Sequence, residues 1–179
     1  MTPAPKHRFV VIEGPIGVGK TTLARRLAER GVRFIQLYHK DWDHHGEVKQ
    51  GVEFKAAEID RACMALITDL KQRDMLKDTL IVWAGEFGRT PMSQGGSGRD
   101  HHNAGFTIWM CGGGIRPGMV YGATDELGYA AVDSPVDVHD IHATLLRQLG
   151  IDHTRLSVKF QGLDVRLSGI AGRVIRDLI

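Results

Sequence analysis

Histidine and acidic side chains gather in three short segments, and these residues are the best suited to chemistry. The segments are 41–45 (DWDHH), 85–90 (GEFGRT) and 98–103 (GRDHHN). Carboxylate oxygen and imidazole nitrogen together are ligands that Zn²⁺, Mn²⁺ and Fe²⁺ accept. One such segment alone is typical of a solvated loop with ordinary ion pairs. Three of them beside predicted strands favour a shared metal site.

A second motif lies nearer the N-terminus. Residues 14–21 (GPIGVGKT) match the GxxxxGK[ST] pattern of phosphate-binding loops. Glycines in that pattern let backbone N–H groups form one anion-binding nest, while the lysine reaches the phosphates and the hydroxyl holds Mg²⁺. The predicted nucleotide-binding residues are Gly14, Gly17, Gly19, Lys20 and Thr21. The alternative is a glycine-rich strand-to-helix turn that binds nothing.

Composition limits the class of protein. The chain has 179 residues, a formal net charge of +2, 42% hydrophobic residues and 25% charged residues, which is ordinary for a globular domain and gives no sign of a nucleic-acid partner. Two cysteines cannot form a disulfide framework. No apolar stretch reaches the ~18 residues of a membrane span, and residues 1–14 lack a secretory signal. We therefore expect a cytoplasmic protein without a membrane partner.

Hydrophobic patterns predict the elements that must position these residues. Short apolar runs predict strands at 8–13, 32–38, 79–84 and 105–110. Apolar residues three and four apart, together with good helix formers, predict helices at 21–30 and 52–73. Ser134 as N-cap and Pro135 in the first turn predict a third helix at 135–149. Residues 85–103 are predicted to form a long loop. Strands alternating with helices favour an α/β layer with a largely parallel sheet, in which ligands bind at the carboxyl ends of the strands.

Two parts of the chain resemble known families. The stretch GPIGVGKTTLARRLAER resembles the start of the deoxynucleoside kinases, which phosphorylate nucleosides with ATP, and this resemblance ends near Gly31. From about residue 23 to 179 the chain resembles the C-terminal part of a bacterial domain-of-unknown-function family of the alkaline phosphatase and sulfatase superfamily. The matching phrases are LARRLAERGVRFIQLYHKDWDHHG, VEFKAAEIDRACMALITDLKQRDMLKDTLIVWAGEFGRTP, GRDHHNAGFTIWMCGGGIRPG and SPVDVHDIHATLLRQLGI.

The second resemblance implies which residues bind metal. Asp43 and His45 resemble the aspartate and histidine that hold one ion in that superfamily, and His101 resembles the histidine that completes the site, with His102 the close alternative. Glu86 stands where the superfamily usually has an aspartate, but phenylalanine replaces the histidine that should follow. No catalytic nucleophile is assigned, because the superfamily's nucleophile belongs to a segment before the part that this chain resembles.

The sequence patterns, and what the two resemblances imply, together predict one α/β domain over residues 1–179. It comprises a P-loop-like segment at 8–30 and an alkaline-phosphatase-like part at 31–179, with three layers around a mostly parallel sheet that is incomplete at the N-terminus. The predicted function is a metal-binding hydrolase of phosphate or sulfate esters with weak or no turnover. Its expected cofactor is a Zn, Mn or Fe ion. The alternatives are an ATP-binding phosphotransferase that uses Mg-ATP, and a non-enzymatic fragment.

Overall fold

The computed structural model describes residues 9–13, 33–168 and 171–179. The predicted helix at 21–30 and the predicted phosphate-binding residues Gly14, Gly17, Gly19, Lys20 and Thr21 lie outside these ranges. The strands are β1 (Phe9–Glu13), β2 (Arg33–Leu37), β3 (Thr79–Trp83), β4 (Gly88–Gln94), β5 (Gly98–His102), β6 (Trp109–Gly112), β7 (Ala123–Thr124), β8 (Ala131–Asp133), β9 (Ser157–Phe160) and β10 (Leu163–Arg166). The α-helices in the described ranges are α1 (Val48–Gln72) and α2 (Val138–Gln148), and 3-10 turns occur at Leu76–Asp78, His153–Arg155 and Arg176–Leu178.

The main sheet has four strands in the order β2-β1-β3-β6. β1 pairs in parallel with β2 and β3, whereas β6 runs antiparallel to β3 with Trp109 opposite Trp83. β3 forms at TLIVW because β-branched and aromatic residues favour strands, and its first four residues are buried. The carboxyl ends of β2 and β3 therefore lie at one edge of this sheet.

The predicted three-layer, mostly parallel, alkaline-phosphatase-like fold is wrong for the part of the chain that the structure describes. Beside the four-stranded sheet lie three separate two-stranded antiparallel sheets, formed by β4 and β5, β7 and β8, and β9 and β10. A three-layer fold also needs helices packed on both faces of the sheet. Only Leu70 of the 25 residues of α1 is buried, so this helix does not form a closed outer layer.

The core lies between α2 and the main sheet. Leu80 and Val82 are two residues apart and therefore share one face of β3, where they pack with Leu145 of α2. A neighbouring cluster joins Leu146, Leu149, Ile151 and Leu156. Asp137 is the N-cap of α2, and its side chain accepts a hydrogen bond from the backbone N–H of His139 in a capping box, so the helix starts three residues after the predicted position 135.

The apolar residues three and four apart that predict helix α1 are expected to form one buried stripe, but only the last of them is buried. They are Ala56, Ile59, Cys63, Leu66 and Leu70. The helix instead connects the segment after β2 to β3. None of the helices in the described ranges has the length and apolar character needed to cross a bilayer.

Candidate metal centre

Asp43, His45 and His101 come together at the sheet edge where β2 ends. The first two belong to the segment that joins β2 to α1, and His101 lies on β5. The Nε2 atoms of the two histidines are 3.2 Å apart, and they lie 3.0 Å (His45) and 2.9 Å (His101) from Asp43 Oδ1. The three side chains are 41–59% exposed, so the cluster opens to solvent.

Backbone and side-chain hydrogen bonds hold the β4–β5 hairpin against the segment that joins β2 to α1. The N–H of Val48 donates to the carbonyl of Ser97 (3.0 Å), and the N–H of Arg99 donates to the carbonyl of His44 (3.2 Å). The Ser97 hydroxyl also accepts from the N–H of Glu47 and donates to its carboxylate. These contacts bring His101, which is 58 residues from Asp43, to the same point.

The two imidazoles are oriented by neighbours on the hairpin and beside it. His45 Nδ1 lies 2.6 Å from Gln94 Oε1, and because an amide oxygen only accepts, Nδ1 carries the hydrogen of this bond. The lone pair of His45 Nε2 then faces the cluster. The ring of Phe87 packs against His101, with the ring centroids 4.6 Å apart.

Arg89 on β4 is the positive partner of the cluster. Its Nη2 donates to Asp43 Oδ1 (2.5 Å), and it also contacts the Trp42 carbonyl at 3.5 Å. The hydrogen bond from His101 and then that from Arg89 lower the pKa of Asp43 from 3.8 to about 2. Asp43 is therefore an ionised acceptor throughout the pH range in which imidazoles are neutral ligands.

The donor set fits a divalent transition ion. Ligand atoms about 2.1 Å from a cation are about 3.0 Å apart when they meet at right angles and about 3.4 Å apart in a tetrahedron. The three observed separations, 2.9, 3.0 and 3.2 Å, match this range. A carboxylate oxygen and an imidazole lone pair also repel at this distance unless a proton or a cation lies between them.

The other predicted ligands lie outside the cluster that the described side chains form. His102 faces away from its neighbour His101 because alternate residues of a strand point to opposite faces, and its Nε2 contacts the carbonyl of Tyr129 at 2.5 Å. Glu86 is exposed and does not join the group. Gln94 was missed by sequence reasoning, because an amide in a glycine-rich stretch carries no signal until the hairpin pairing is known.

The described part of the chain thus combines two α-helices with one four-stranded sheet and three two-stranded antiparallel sheets, and an exposed aspartate–histidine–histidine cluster lies where the parallel strands of the main sheet end. The chain belongs to the family described as "Protein of unknown function (DUF1501)", whose family model matches residues 13–179. This confirms the resemblance to a family of unknown function, at that level. Neither a curated protein nor a solved structure matches the chain significantly.

Proposed function

We propose that this protein binds a divalent Zn, Mn or Fe ion through Asp43, His45 and His101. The observation that carries the proposal is the triangle of ligand atoms, all within 4.8 Å of one another, built from residues far apart in the sequence. Two imidazoles and one carboxylate leave coordination positions open for a further ligand. The exposure of all three side chains lets a small molecule reach those positions.

The chemistry that fits this site is slow hydrolysis of phosphate or sulfate esters. A bound cation would polarise the ester oxygen and make bound water more acidic. Arg89 adds positive charge beside the cluster, which favours an anionic substrate, and Gln94 fixes the tautomer of His45. The sequence resemblance to the alkaline phosphatase and sulfatase superfamily supports the same reaction class. Turnover is expected to be slow because one ion would stabilise charge without help from a serine, threonine or cysteine nucleophile in the cluster of described residues.

Thermal denaturation with and without MnCl₂ or ZnCl₂ tests the metal site. An ion present at a hundred times its dissociation constant stabilises the folded state by about 2.7 kcal/mol if it binds only that state. The shift should vanish in an Asp43→Ala, His101→Ala variant. It should persist in an Asp164→Ala, His102→Ala variant, which removes the same residue types outside the cluster. An equal shift in both variants would contradict the assignment.

Hydrolysis of p-nitrophenyl phosphate and p-nitrophenyl sulfate tests the reaction class. We expect slow, metal-dependent release of p-nitrophenol that Asp43→Ala abolishes. Release that is unaffected by Asp43→Ala would contradict the proposal. Fast turnover lost in the same variant would retain the site but contradict the expectation of weak activity.

The phosphotransferase alternative rests on the GPIGVGKT motif of residues 14–21. It predicts stabilisation by Mg-ATP that a Lys20→Ala variant lacks, while the response to MnCl₂ stays unchanged. If neither metal nor Mg-ATP stabilises the protein, the remaining alternative, a non-enzymatic fragment, is favoured.

A further inference from the structure

A cavity of about 550 Å³ lies away from the metal cluster and carries a cluster of positive charge. Arg116, Arg147 and Arg176 line it, together with His153 and Asp152. They come from the chain after β6, the last turn of α2, the 3-10 turn His153–Arg155 and the C-terminal 3-10 turn Arg176–Leu178. The volume is that of a site for a small organic molecule.

The three guanidinium groups make no hydrogen bond or ion pair with any other residue in the described ranges. Arg147 lies in the last turn of α2, where a cation is favourable beside the helix C-terminus. That explanation does not extend to Arg116 or Arg176, which are outside any α-helix. All three arginines are exposed, so solvent screens their charges from one another, and an anion that binds between them gains charge-assisted hydrogen bonds from guanidinium groups that no described side chain engages.

The acidic residue of the cavity is already engaged elsewhere. The Asp152 carboxylate accepts hydrogen bonds from the N–H (2.9 Å) and the hydroxyl (2.7 Å) of Thr154, where it caps the 3-10 turn. These bonds lower the pKa of Asp152. His153 contacts Ser168 through Nδ1 (3.3 Å), and its Nε2 has no hydrogen bond among the described residues.

The walls of the cavity are held in place before any ligand binds. The N–H of Arg116 donates to the carbonyl of Leu178 (2.8 Å), and the N–H of Ile175 donates to the buried Thr144 hydroxyl (2.9 Å). Ile151, which is buried, and Val174 form an apolar wall beside the arginines. Preformed walls reduce the entropy lost on binding.

The cavity and the metal cluster lie toward opposite ends of the strands of the main sheet, the cavity where β3 starts and the cluster where β3 ends. Arg116 follows the end of β6 at Gly112, which pairs with Leu80 near the start of β3. Asp43 instead follows the end of β2, at the edge where β3 finishes with Trp83. Variants in one site can therefore be compared with variants in the other.

We propose that the cavity lined by Arg116, Arg147 and Arg176 is a binding site for a small organic anion with two or more phosphoryl or carboxylate charges. The arginines bind the charged groups, for which the planar guanidinium fork is suited. The wall of Ile151 and Val174 contacts the uncharged part. The site is independent of the metal proposed above.

Calorimetric titration with pyrophosphate and with citrate, at constant ionic strength, tests this proposal. Saturable binding is expected from at least one of these probes, and comparing them separates phosphoryl from carboxylate preference. An Arg116→Gln, Arg176→Gln variant should lose at least about tenfold in affinity, because each charge-assisted bond is worth that much. An Arg61→Gln, Arg166→Gln variant, with the same charge change on exposed positions of α1 and β10, should bind normally.

Further variants separate the three sites that could hold an anion. Binding should survive Lys20→Ala and the Asp43→Ala, His101→Ala variant. The proposal would be overturned if either of these variants lost anion binding while Arg116→Gln, Arg176→Gln retained it. Equal affinity of Arg116→Gln, Arg176→Gln and Arg61→Gln, Arg166→Gln, or a titration that does not saturate, would also overturn it. If Arg116→Gln, Arg176→Gln does not fold, Arg116→Lys, Arg176→Lys keeps the charge but removes the forks, and its affinity should still fall severalfold.

Discussion

The core between β3 and α2 and the β4–β5 hairpin are held together in different ways. Leu80, Val82 and Leu145 are at most 8% exposed and pack through apolar contacts. The hairpin leaves Met92 58% exposed, and it attaches to the rest of the chain through hydrogen bonds and the Arg89–Asp43 ion pair. The core therefore supplies stability, whereas the hairpin supplies the position of His101.

Substitutions in the core and in the hairpin should therefore have different effects on the protein. A lost core contact lowers the free energy of unfolding without altering the ligand triangle of the molecules that remain folded. A change in how the hairpin docks moves His101 relative to Asp43 while the core stays intact. Variants of the two regions should therefore distinguish a loss of stability from a loss of metal affinity.

Leu80→Ala should lower the free energy of unfolding by about 2–5 kcal/mol, because Leu80 is fully buried and its loss leaves a cavity. Leu127→Ala, at a position that is 78% exposed, is the matched control and should change it little. Urea denaturation followed by circular dichroism measures both. A similar loss in the two variants would contradict the placement of the core at β3.

Gly98→Ala should weaken metal binding because a Cβ atom at this position would lie 1.9 Å from the carbonyl oxygen of His45. Relief of such a clash costs about 1–3 kcal/mol and pushes the hairpin away from the segment that holds Asp43. Gly46→Ala places its Cβ in open space and should bind metal normally. Calorimetric titration with ZnCl₂ compares the two, and equal affinities would show that the close approach is unimportant.

Gln94→Leu should reduce metal affinity by about 10- to 100-fold, the usual effect of removing a group that orients a ligating histidine. The side chain keeps a similar size, but His45 Nδ1 loses its acceptor. Gln50→Leu, on the exposed surface of α1, is the control. Unchanged affinity in Gln94→Leu would mean that this contact does not set the tautomer of His45.

The smallest effect concerns acid stability without metal. Because hydrogen bonds in the folded protein lower the pKa of Asp43 from 3.8 to about 2, ionised Asp43 stabilises the fold above pH 4, and this contribution falls as pH drops toward 2. Asp43→Asn should therefore lower stability modestly at pH 5 and less at pH 2.5. Asp164→Asn controls for the lost charge, and an Asp43→Asn effect that grows toward pH 2.5 would contradict this sign.

Part of the fold can be predicted from the sequence, because a buried strand is encoded by a run of consecutive apolar residues. The apolar run TLIVWA predicts a strand at 79–84, and β3 occupies Thr79–Trp83. Strand direction has no such pattern, so the antiparallel pairing of β6 was not foreseen, and the predicted fold class is wrong. Residues 85–103 were predicted as a loop because an exposed hairpin needs no apolar alternation.

The β4–β5 hairpin depends on the conformation of two glycines and on an irregular strand register, and neither produces a hydrophobic pattern in the sequence. Gly95 and Gly96 adopt φ values of +59° and +89°, which favour glycine and permit the turn. The register also shifts between Arg89 and Ser93, which hides any regular alternation. The sequence did single out Asp43, His45 and His101 as candidate ligands, whereas Gln94 became recognisable only from the folded hairpin.

X-ray absorption spectroscopy of the zinc-loaded protein identifies the atoms that bind the ion. The proposed centre predicts a zinc ion with two imidazole ligands and a carboxylate oxygen, and a spectrum that loses its imidazole scattering in a His45→Ala, His101→Ala variant. A zinc spectrum without imidazole scattering, or one that this double variant leaves unchanged, would contradict it.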